Sequence, residues 1–235
     1  MNALTNAKNQ PGGNKASCAG LTSSVTSKIQ SINTENSQTG VSSNYVQKEN
    51  HKWFVFRATY NQVKQALKDF ENAQIQTYIP RHYVIKVING KKTRILEPYL
   101  PNLIFAYATR DDAEKLVRHP APSSYYLKYY LDKTKEREVE TSKHPPMQIS
   151  FDDMINFINV TSLDNEHIIT VSPDHCHYKS GDKVRIIYGE FKGIEGYIAR
   201  VLGQSRVVVE IKGLCVIATA YIPKNFICSL DKTDI

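Results

Sequence analysis

The chain has 235 residues, of which 41% are hydrophobic, and a formal net charge of +7. It has no run of about 18 apolar residues, which excludes a transmembrane helix, and no secretory apolar stretch near its N-terminus. Four scattered cysteines without a C-x-x-C pair argue against a disulfide scaffold or a zinc ribbon. We therefore expect a cytoplasmic protein of one or two domains.

The charge is unevenly distributed along the chain. Residues 51–119 carry twelve basic and six acidic groups, whereas residues 120–178 carry five basic and nine acidic groups. A basic region beside an acidic connector is typical of a protein with a polyanionic partner. An ordinary solvated surface is an equal alternative at this modest net charge.

Residues 1–50 are rich in Ser, Thr, Asn, Gln and Gly, and their few apolar residues follow no period. Such a segment cannot bury enough surface to offset the entropy of ordering it. We predict a disordered polar leader over residues 1–50.

Residues 51–131 alternate between strand and helix patterns. Aromatic and β-branched runs predict strands, the i, i+3, i+4, i+7 spacing of Val63, Ala66, Leu67 and Phe70 predicts a helix, and Asn89-Gly90 predicts a hairpin turn. A capping box of Asp111 with Glu114 predicts a second helix through Arg118. The predicted strands are Trp53–Tyr60, Ile75–Ile79, Tyr83–Ile88, Thr93–Leu96, Leu103–Ala108 and Ser124–Leu131. This order indicates an α+β domain of the ferredoxin-like kind, with two helices on one face of a sheet.

Residues 132–178 are charged and contain Pro145-Pro146, which indicates a linker. Within it, Ser150 resembles a helix cap, and Phe151, Met154, Ile155 and Ile158 follow at helical spacing. We predict a short amphipathic helix there, packing on one of the chain's own domains.

From residue 179 onward the pattern is all-β. The predicted strands are Lys183–Ile187, Gly196–Leu202, Arg206–Ile211 and Leu214–Tyr221. Short strands with glycine-bearing turns over residues 179–235 favour a small closed barrel.

The stretch from Gly181 to Gly196 carries the most specific pattern. Gly181-Asp182 predicts a tight turn, Val184 alternates inward, Gly189 and Gly193 permit positive φ, Phe191 fills the barrel end, and Gly196 allows close strand approach. This pattern resembles the KOW motif of SH3-like barrels. The resemblance implies a protein that works near RNA or RNA polymerase.

The segment ahead of the barrel resembles the N-terminal domain of the NusG family. The resemblance rests on Trp53-Phe54-Val55, the amphipathic helix, Tyr78-Ile79-Pro80, the charged hairpin and the run from Glu97 to Phe105. A NusG-like domain followed by a KOW barrel is the architecture of the family. Three segments are most similar to the UpxY-type capsular polysaccharide antiterminators, a specialised branch like RfaH. They are the Glu-Pro-x-x-Pro-Asn-x-x-Phe run, Met154–Ile158 and Ala218–Pro223.

The resemblance implies a transcription elongation and antitermination factor that binds RNA polymerase and suppresses pausing and termination. The polymerase-binding patch for the clamp helices of the largest catalytic subunit would be Phe54, Phe56, Tyr99, Leu100, Pro101, Leu103 and Phe105. Strand alternation sends about half of such residues into the core, and we expect Tyr99, Leu100, Pro101 and Leu103 to be exposed. The non-template DNA strand would contact Arg57, Tyr60, Lys64 and Lys68. The barrel would recruit a ribosomal protein or Rho.

Three alternatives stay open at this level. The first is a housekeeping NusG factor, against which Asn102 after Pro101 and the polar leader argue. The second is a ribosome-associated KOW protein that binds RNA, which would need a more basic barrel. A metal site or Cys/His hydrolase at His175-Cys176-His177 lacks a second ligand pair or an orienting group. We expect no enzyme activity, no cofactor, no metal, no membrane partner and a monomer.

Overall fold

The structure, a computed structural model, describes residues 41–171 and 183–230. All of these residues fall within one compact unit, Asn36–Ile235. Its strands and helices are β1 (Lys52–Ala58), α1 (Val63–Asn72), β2 (Gln76–Tyr78), β3 (Arg81–Ile88), β4 (Lys91–Pro98), β5 (Leu103–Ala108), α2 (Arg110–Val117), β6 (Leu127–Tyr129), β7 (Gln148–Ile149), α3 (Phe151–Thr161), β8 (Ile169–Val171), β9 (Lys183–Ile186), β10 (Glu195–Val201), β11 (Gln204–Ile211), β12 (Cys215–Tyr221) and β13 (Ile227–Ser229).

The first sheet has five strands in the order β2-β5-β1-β6, with β7 paired to the start of β1. The neighbouring strands run antiparallel. Helices α1 and α2 cover one face and enclose a core with β1 and β5. The prediction of an α+β domain is confirmed.

The two helices of this domain were predicted from different signals, the apolar spacing for α1 and an N-terminal cap for α2. Helix α1 buries Ala66 and Phe70, as the apolar spacing predicted. Helix α2 is capped by Thr109, whose hydroxyl accepts the backbone N–H of Asp112 at 3.2 Å. The predicted cap at Asp111 is therefore wrong, because Thr109 lies in the extended conformation that a cap requires and Asp111 is already inside the first turn.

Strands β3 and β4 form a separate two-stranded sheet, the hairpin. They pair in continuous register from Arg81 opposite Pro98 to Ile88 opposite Lys91. Asn89 and Gly90 have φ values of 50° and 76°, the pair of positive φ angles of a type I′ turn. The predicted hairpin turn is confirmed.

The second sheet has six strands in the order β13-β9-β10-β11-β12-β8. Its four longer strands match the predicted runs, whereas β8 and β13 have three residues each and were not predicted. Among the described residues no pairing joins β13 to β8, so the pairing does not close this sheet into a barrel.

The segment expected to be a linker is packed where the structure describes it. Leu131 bridges to Pro146, the backbone N–H of Asp132 donates to the Pro145 carbonyl at 2.8 Å, and Met147 is buried. Ordered contacts also begin before His51: the Tyr45 hydroxyl donates to the Thr77 carbonyl at 2.8 Å. Residues on both sides of the range 51–131 therefore contact the first domain.

Helix α3 lies between the two sheets. Ser150 caps it by accepting the Asp153 backbone N–H at 3.1 Å, as predicted. The helix buries Met154, Phe157 and Ile158 in a cluster that includes residues of both sheets. Within the described ranges, no helix is long and apolar enough to cross a membrane.

Candidate partner-binding surface

The first sheet buries side chains on both of its faces. Phe54 and Phe56 point toward α1 and α2, and the ring centroids of Phe56 and Phe70 are 5.1 Å apart. Alternate residues of β1 point the other way, toward the face opposite α1 and α2. We call this the outer face; its residues are Trp53, Val55, Tyr78, Leu103, Phe105 and Tyr107.

Helix α3 covers the outer face through aromatic side chains. The ring centroids of Phe157 and Phe105 are 5.4 Å apart, and those of Phe151 and Tyr107 are 5.6 Å apart. At the far end of the helix the hydroxyls of Tyr78 and Thr161 are 2.7 Å apart in a buried hydrogen bond. A helix therefore already occupies the aromatic face that the sheet offers.

The predicted polymerase-binding residues are divided among three environments. Phe54 and Phe56 lie in the core beneath α1 and α2. Leu103 and Phe105 lie on the outer face under α3, and Leu103 is only 7% exposed, so the expectation that it is exposed is wrong. Its position opposite Arg57 in β1 turns it toward α3.

The turn before β5 supplies the accessible part of this set. Tyr99 and Leu100 are half-buried against the outer-face cluster, and Pro101 is exposed. The rings of Tyr99 and His82 stack with centroids 4.1 Å apart. The turn therefore forms an apolar rim between the hairpin and the outer face.

The predicted nucleic-acid residues lie on opposite sides of the first sheet. Lys64 and Lys68 are exposed on α1, one helical turn apart. Arg57 instead lies on the side of the outer face, with its guanidinium carbon 5.6 Å from the centroid of the Tyr130 ring. Tyr60 is 80% exposed in the turn between β1 and α1. The two lysines therefore share one surface of the domain, and Arg57 lies on the opposite side of the sheet.

The hairpin combines exposed aliphatic side chains with basic groups. Ile85 and Val87 are 70% and 69% exposed, and residues 85–94 contain no carboxylate. Arg94 pairs with Asp164 in the loop after α3, at 2.5 Å, and lies over the Tyr83 ring. A cavity of about 310 Å³ lies between the base of the hairpin and that loop.

Five residues of the KOW-like pattern lie within the described part of the chain. Val184 and Phe191 are buried, and Gly189 and Gly193 have φ values of 83° and 90°. A Cβ on Gly196 would lie 2.2 Å from the Val208 carbonyl oxygen, so only glycine fits there. Gly181 and Asp182 lie outside the described residues.

A polar contact that sequence reasoning missed joins α3 to the second sheet. The Asn156 side-chain oxygen accepts the backbone N–H of Glu195 at 2.8 Å, and its amide nitrogen donates to the Glu195 carbonyl. An exposed-looking Asn in an amphipathic helix gives no signal of such pairing. The Glu195 carboxylate remains free to accept from Arg185, with the guanidinium Nε at 2.9 Å.

Burial shifts the titration of two tyrosines at this surface. Burial raises the pKa of Tyr99 to about 12. Burial also raises the pKa of Tyr78 far above its ordinary value, and the hydrogen bond with Thr161 only partly offsets this. Both hydroxyls therefore ionise only at a pH above that of an ordinary tyrosine.

The cysteines and histidines give no candidate active centre in the described ranges. No cluster of His, Cys, Asp or Glu side chains there is suited to hold a metal ion, and His175-Cys176-His177 falls outside them. Cys215 is buried, and this burial raises its pKa to about 12.

Comparison with known proteins relates the first part of the chain to one family. Residues 51–150 match the family model NusG, described as transcription termination factor nusG. The matched stretch runs from the residue before β1 to the cap of α3, so the chain contains a NusG-like domain. No curated protein matches the chain.

Among the solved structures that match is the crystal structure of an MjSpt4:Spt5 complex in conformation B. It is 17% identical, and the match covers 77% of this chain and 97% of that chain with a TM-score of 0.22. A TM-score this low does not establish a common arrangement, so the family match alone bears on function.

Proposed function

We propose that this chain is a transcription elongation and antitermination factor that binds RNA polymerase and suppresses pausing and termination. The observation that carries the proposal is the match of residues 51–150 to the NusG family model. The role is one of binding and requires no catalytic residue. We assign it to the cytoplasm and expect a monomer.

The polymerase-binding surface is the outer face together with the rim of Tyr99, Leu100 and Pro101. Aromatic residues are common anchors at protein interfaces, and the outer face is rich in them. A helix already packs on this face, which supports the clamp helices of the largest catalytic subunit as the element it receives. Phe54 and Phe56 support the surface from beneath instead of contacting the partner.

The surface of α1 carries the contact to the non-template DNA strand. Lys64 and Lys68 are exposed and one turn apart, and Tyr60 offers an accessible ring at the start of the helix. Positive charge beside an exposed aromatic ring is the chemistry of sequence-tolerant single-strand binding. Arg57 contributes from the other side of the sheet.

The second sheet is the KOW module of this proposal. Its support is the agreement of Val184, Gly189, Phe191, Gly193 and Gly196 with the packing and backbone angles expected of that motif. In this role it recruits a ribosomal protein or Rho. The similarity of residues 97–105 and 154–158 to the UpxY-type branch makes polysaccharide biosynthesis operons the proposed targets.

The test uses the purified full chain, RNA polymerase core and a template with a defined pause site. We expect binding and shorter pauses, with an affinity about tenfold weaker for Leu100→Ala because an interface anchor is truncated. Leu202→Ala is the matched control, since Leu202 is 80% exposed in the turn between β10 and β11, far along the chain from the rim. The double change Lys64→Glu/Lys68→Glu is expected to reduce the effect on pausing while retaining polymerase binding.

Two results would overturn the proposal. One is the absence of polymerase binding by the wild-type chain and by every variant at all concentrations. The other is tight binding to ribosomal RNA through the second sheet without any effect on pausing, which would identify a ribosome-associated KOW protein.

A further inference from the structure

We propose that the open edge of β3 in the hairpin is a docking site for an acidic protein segment, which adds to the hairpin as a third strand. The site lies apart from the outer face and from α1, so the proposal goes beyond the proposed function and does not rest on it. It starts from the sheet topology, in which β3 and β4 pair with each other and, among the described residues, with no further strand. The outer edge of each strand is therefore open.

One face of the hairpin carries exposed aliphatic side chains. Ile85 and Val87 are two positions apart in β3, so their side chains point to the same face. They are 70% and 69% exposed, and Ile88 beside the turn is 45% exposed. Adjoining apolar side chains that stay in contact with water, with polar groups around them, mark an interaction site. A partner for this face must bring apolar side chains of its own.

The opposite face of β3 and the tip of the hairpin are basic. Lys86 points to the face opposite Ile85, and Lys91 lies directly across from Ile88 in the register. Lys92 adds a third cation at the tip, and residues 85–94 contain no carboxylate. Complementary charge across an interface selects the partner and speeds its association. The charge of the hairpin therefore favours a partner that carries carboxylates.

The backbone of β3 presents hydrogen-bonding groups along its open edge. The turn has two residues, so Ile88 and Lys91 on either side of it form a hydrogen-bonded pair. Hydrogen-bonded and non-hydrogen-bonded pairs alternate in an antiparallel ladder, which turns the N–H and C=O groups of Ile85 and Val87 away from β4. Within the described ranges these groups bond to no other segment. They are available to an added strand.

The edge of β4 is less suited to an added strand. It ends at Pro98, which has no backbone N–H to donate. Arg94, whose backbone groups also face outward, is held by Asp164 in the loop after α3 at 2.5 Å. The edge of β3 has neither of these obstacles between Tyr83 and Ile88, so we assign the site to β3.

The two faces of the hairpin define the sequence of the docking segment. Its aliphatic side chains would lie beside Ile85 and Val87 on one face, and its carboxylates beside Lys86 on the other. Successive side chains of a strand point to opposite faces. The segment therefore alternates aliphatic and acidic residues.

Two other occupants fit this edge less well. A second copy of the chain, pairing β3 with β3, would bring two copies of Lys86 to the same face, and like charges on neighbouring strands are destabilising. Single-stranded nucleic acid binds through exposed aromatic rings beside positive charge. The ring of Tyr83 on this hairpin is covered by the guanidinium of Arg94, whose carbon lies 3.9 Å from the ring centroid. An acidic protein segment is the occupant that matches both the aliphatic and the basic face.

The experiment measures fluorescence anisotropy of labelled probes with the purified full-length chain. The main probe is a short fluorescein-labelled peptide that alternates aspartate with valine or isoleucine. A peptide of the same composition, with its acidic and aliphatic residues in two separate blocks, tests the alternation. Fluorescein-labelled oligothymidylate tests nucleic acid at the same site, and sedimentation velocity of the chain alone tests pairing between copies.

Matched variants locate the binding edge. Val87→Pro removes an N–H that points out from β3, and Lys92→Pro does the same at the position directly opposite on β4. Lys91→Glu reverses one charge of the tip, with Lys133→Glu as its control, since Lys133 is exposed far along the chain from the hairpin. Ile85→Thr keeps the strand propensity and keeps the test valid if Val87→Pro disturbs the hairpin. Far-ultraviolet circular dichroism checks the folding of each protein.

We expect the alternating peptide to bind about tenfold more tightly than the block peptide, because only the alternating one matches both faces. Val87→Pro, Ile85→Thr and Lys91→Glu should each weaken this binding by about tenfold, a size typical of an interface anchor, while Lys92→Pro and Lys133→Glu retain it. Added salt should weaken it further.

Four results would overturn the proposal. The first is no binding of the alternating peptide, or equal binding of the two peptides. The second is an equal loss in Val87→Pro and Lys92→Pro, which would separate the binding from the edge of β3. The third is tight binding of oligothymidylate that Lys91→Glu abolishes, which would assign the hairpin to nucleic acid. The fourth is self-association of the chain that Val87→Pro abolishes, which would assign the edge to a second copy.

Discussion

The buried hydroxyl pair of Tyr78 and Thr161 allows a sharp test of what holds α3 on the outer face. The Thr161 hydroxyl donates to the Phe157 carbonyl at 2.8 Å, so the Tyr78 hydroxyl is the donor in the 2.7 Å contact with Thr161. The two partners are therefore not equivalent. Removing the donor leaves Thr161 still bonded, whereas removing Thr161 leaves a buried tyrosine hydroxyl with no partner.

The magnitudes follow from this asymmetry. Tyr78→Phe loses one net hydrogen bond and is expected to reduce the free energy of unfolding by about 1 kcal/mol. Thr161→Val strands the donor of Tyr78, which is 9% exposed, and is expected to cost about 2–3 kcal/mol. The double variant removes both polar groups, so it is expected to cost less than the two single changes together.

The assay is urea unfolding followed by Trp53 fluorescence, with midpoints compared at a constant slope. Tyr221→Phe is the control, because Tyr221 is 55% exposed, and its effect should stay within about 0.5 kcal/mol. The reasoning is refuted if Tyr78→Phe costs as much as Thr161→Val, or if the double variant costs the full sum.

Three further predictions concern other parts of the fold. Gly196→Ala places a Cβ 2.2 Å from the Val208 carbonyl oxygen and should lower the free energy of unfolding by about 3 kcal/mol. Gly203→Ala has open space around its Cβ and should cost only the strain of a φ of 79°, about 1 kcal/mol. Equal urea midpoints for the two variants would contradict this. Thr109→Ala should cost about 1 kcal/mol through loss of the α2 cap, and Asp111→Ala no more than about 0.5 kcal/mol, with the reverse order in urea unfolding speaking against the assigned cap. Cys215, whose pKa is raised to about 12 by burial, should resist iodoacetamide at pH 8 until the chain is unfolded, and labelling of the native protein in peptide mass spectrometry would count against its burial.

The elements that the sequence predicted correctly are those whose signals are local. The apolar spacing of α1, the Asn89-Gly90 turn and the Ser150 cap each depend on residues a few positions apart. The exception among local signals is the cap of α2, where the sequence predicted Asp111 and the backbone geometry places the cap at Thr109.

The elements that escaped prediction depend on distant partners. Strands β7, β8 and β13 have two or three residues each, too few to show a period, and they exist because β1, β12 and β9 offer them an edge. The candidate surface was predictable only in part for the same reason. Alternation in β5 identifies Leu103 and Phe105 as one face, but nothing in the amphipathic pattern of α3 says that this helix will cover that face.

The bond between Asn156 and residue 195 has a consequence for how this protein can vary. Because the Asn156 amide bonds the main chain, the attachment does not depend on which side chain stands at position 195. Glu195 can be exchanged for other residues, and its ion pairs with Arg185 and Lys183 lost, without releasing the helix. Proline is the one replacement that removes the required N–H. Many different residues should therefore be acceptable at position 195. Position 156 should accept few substitutions, because its contact needs a side-chain amide of this length.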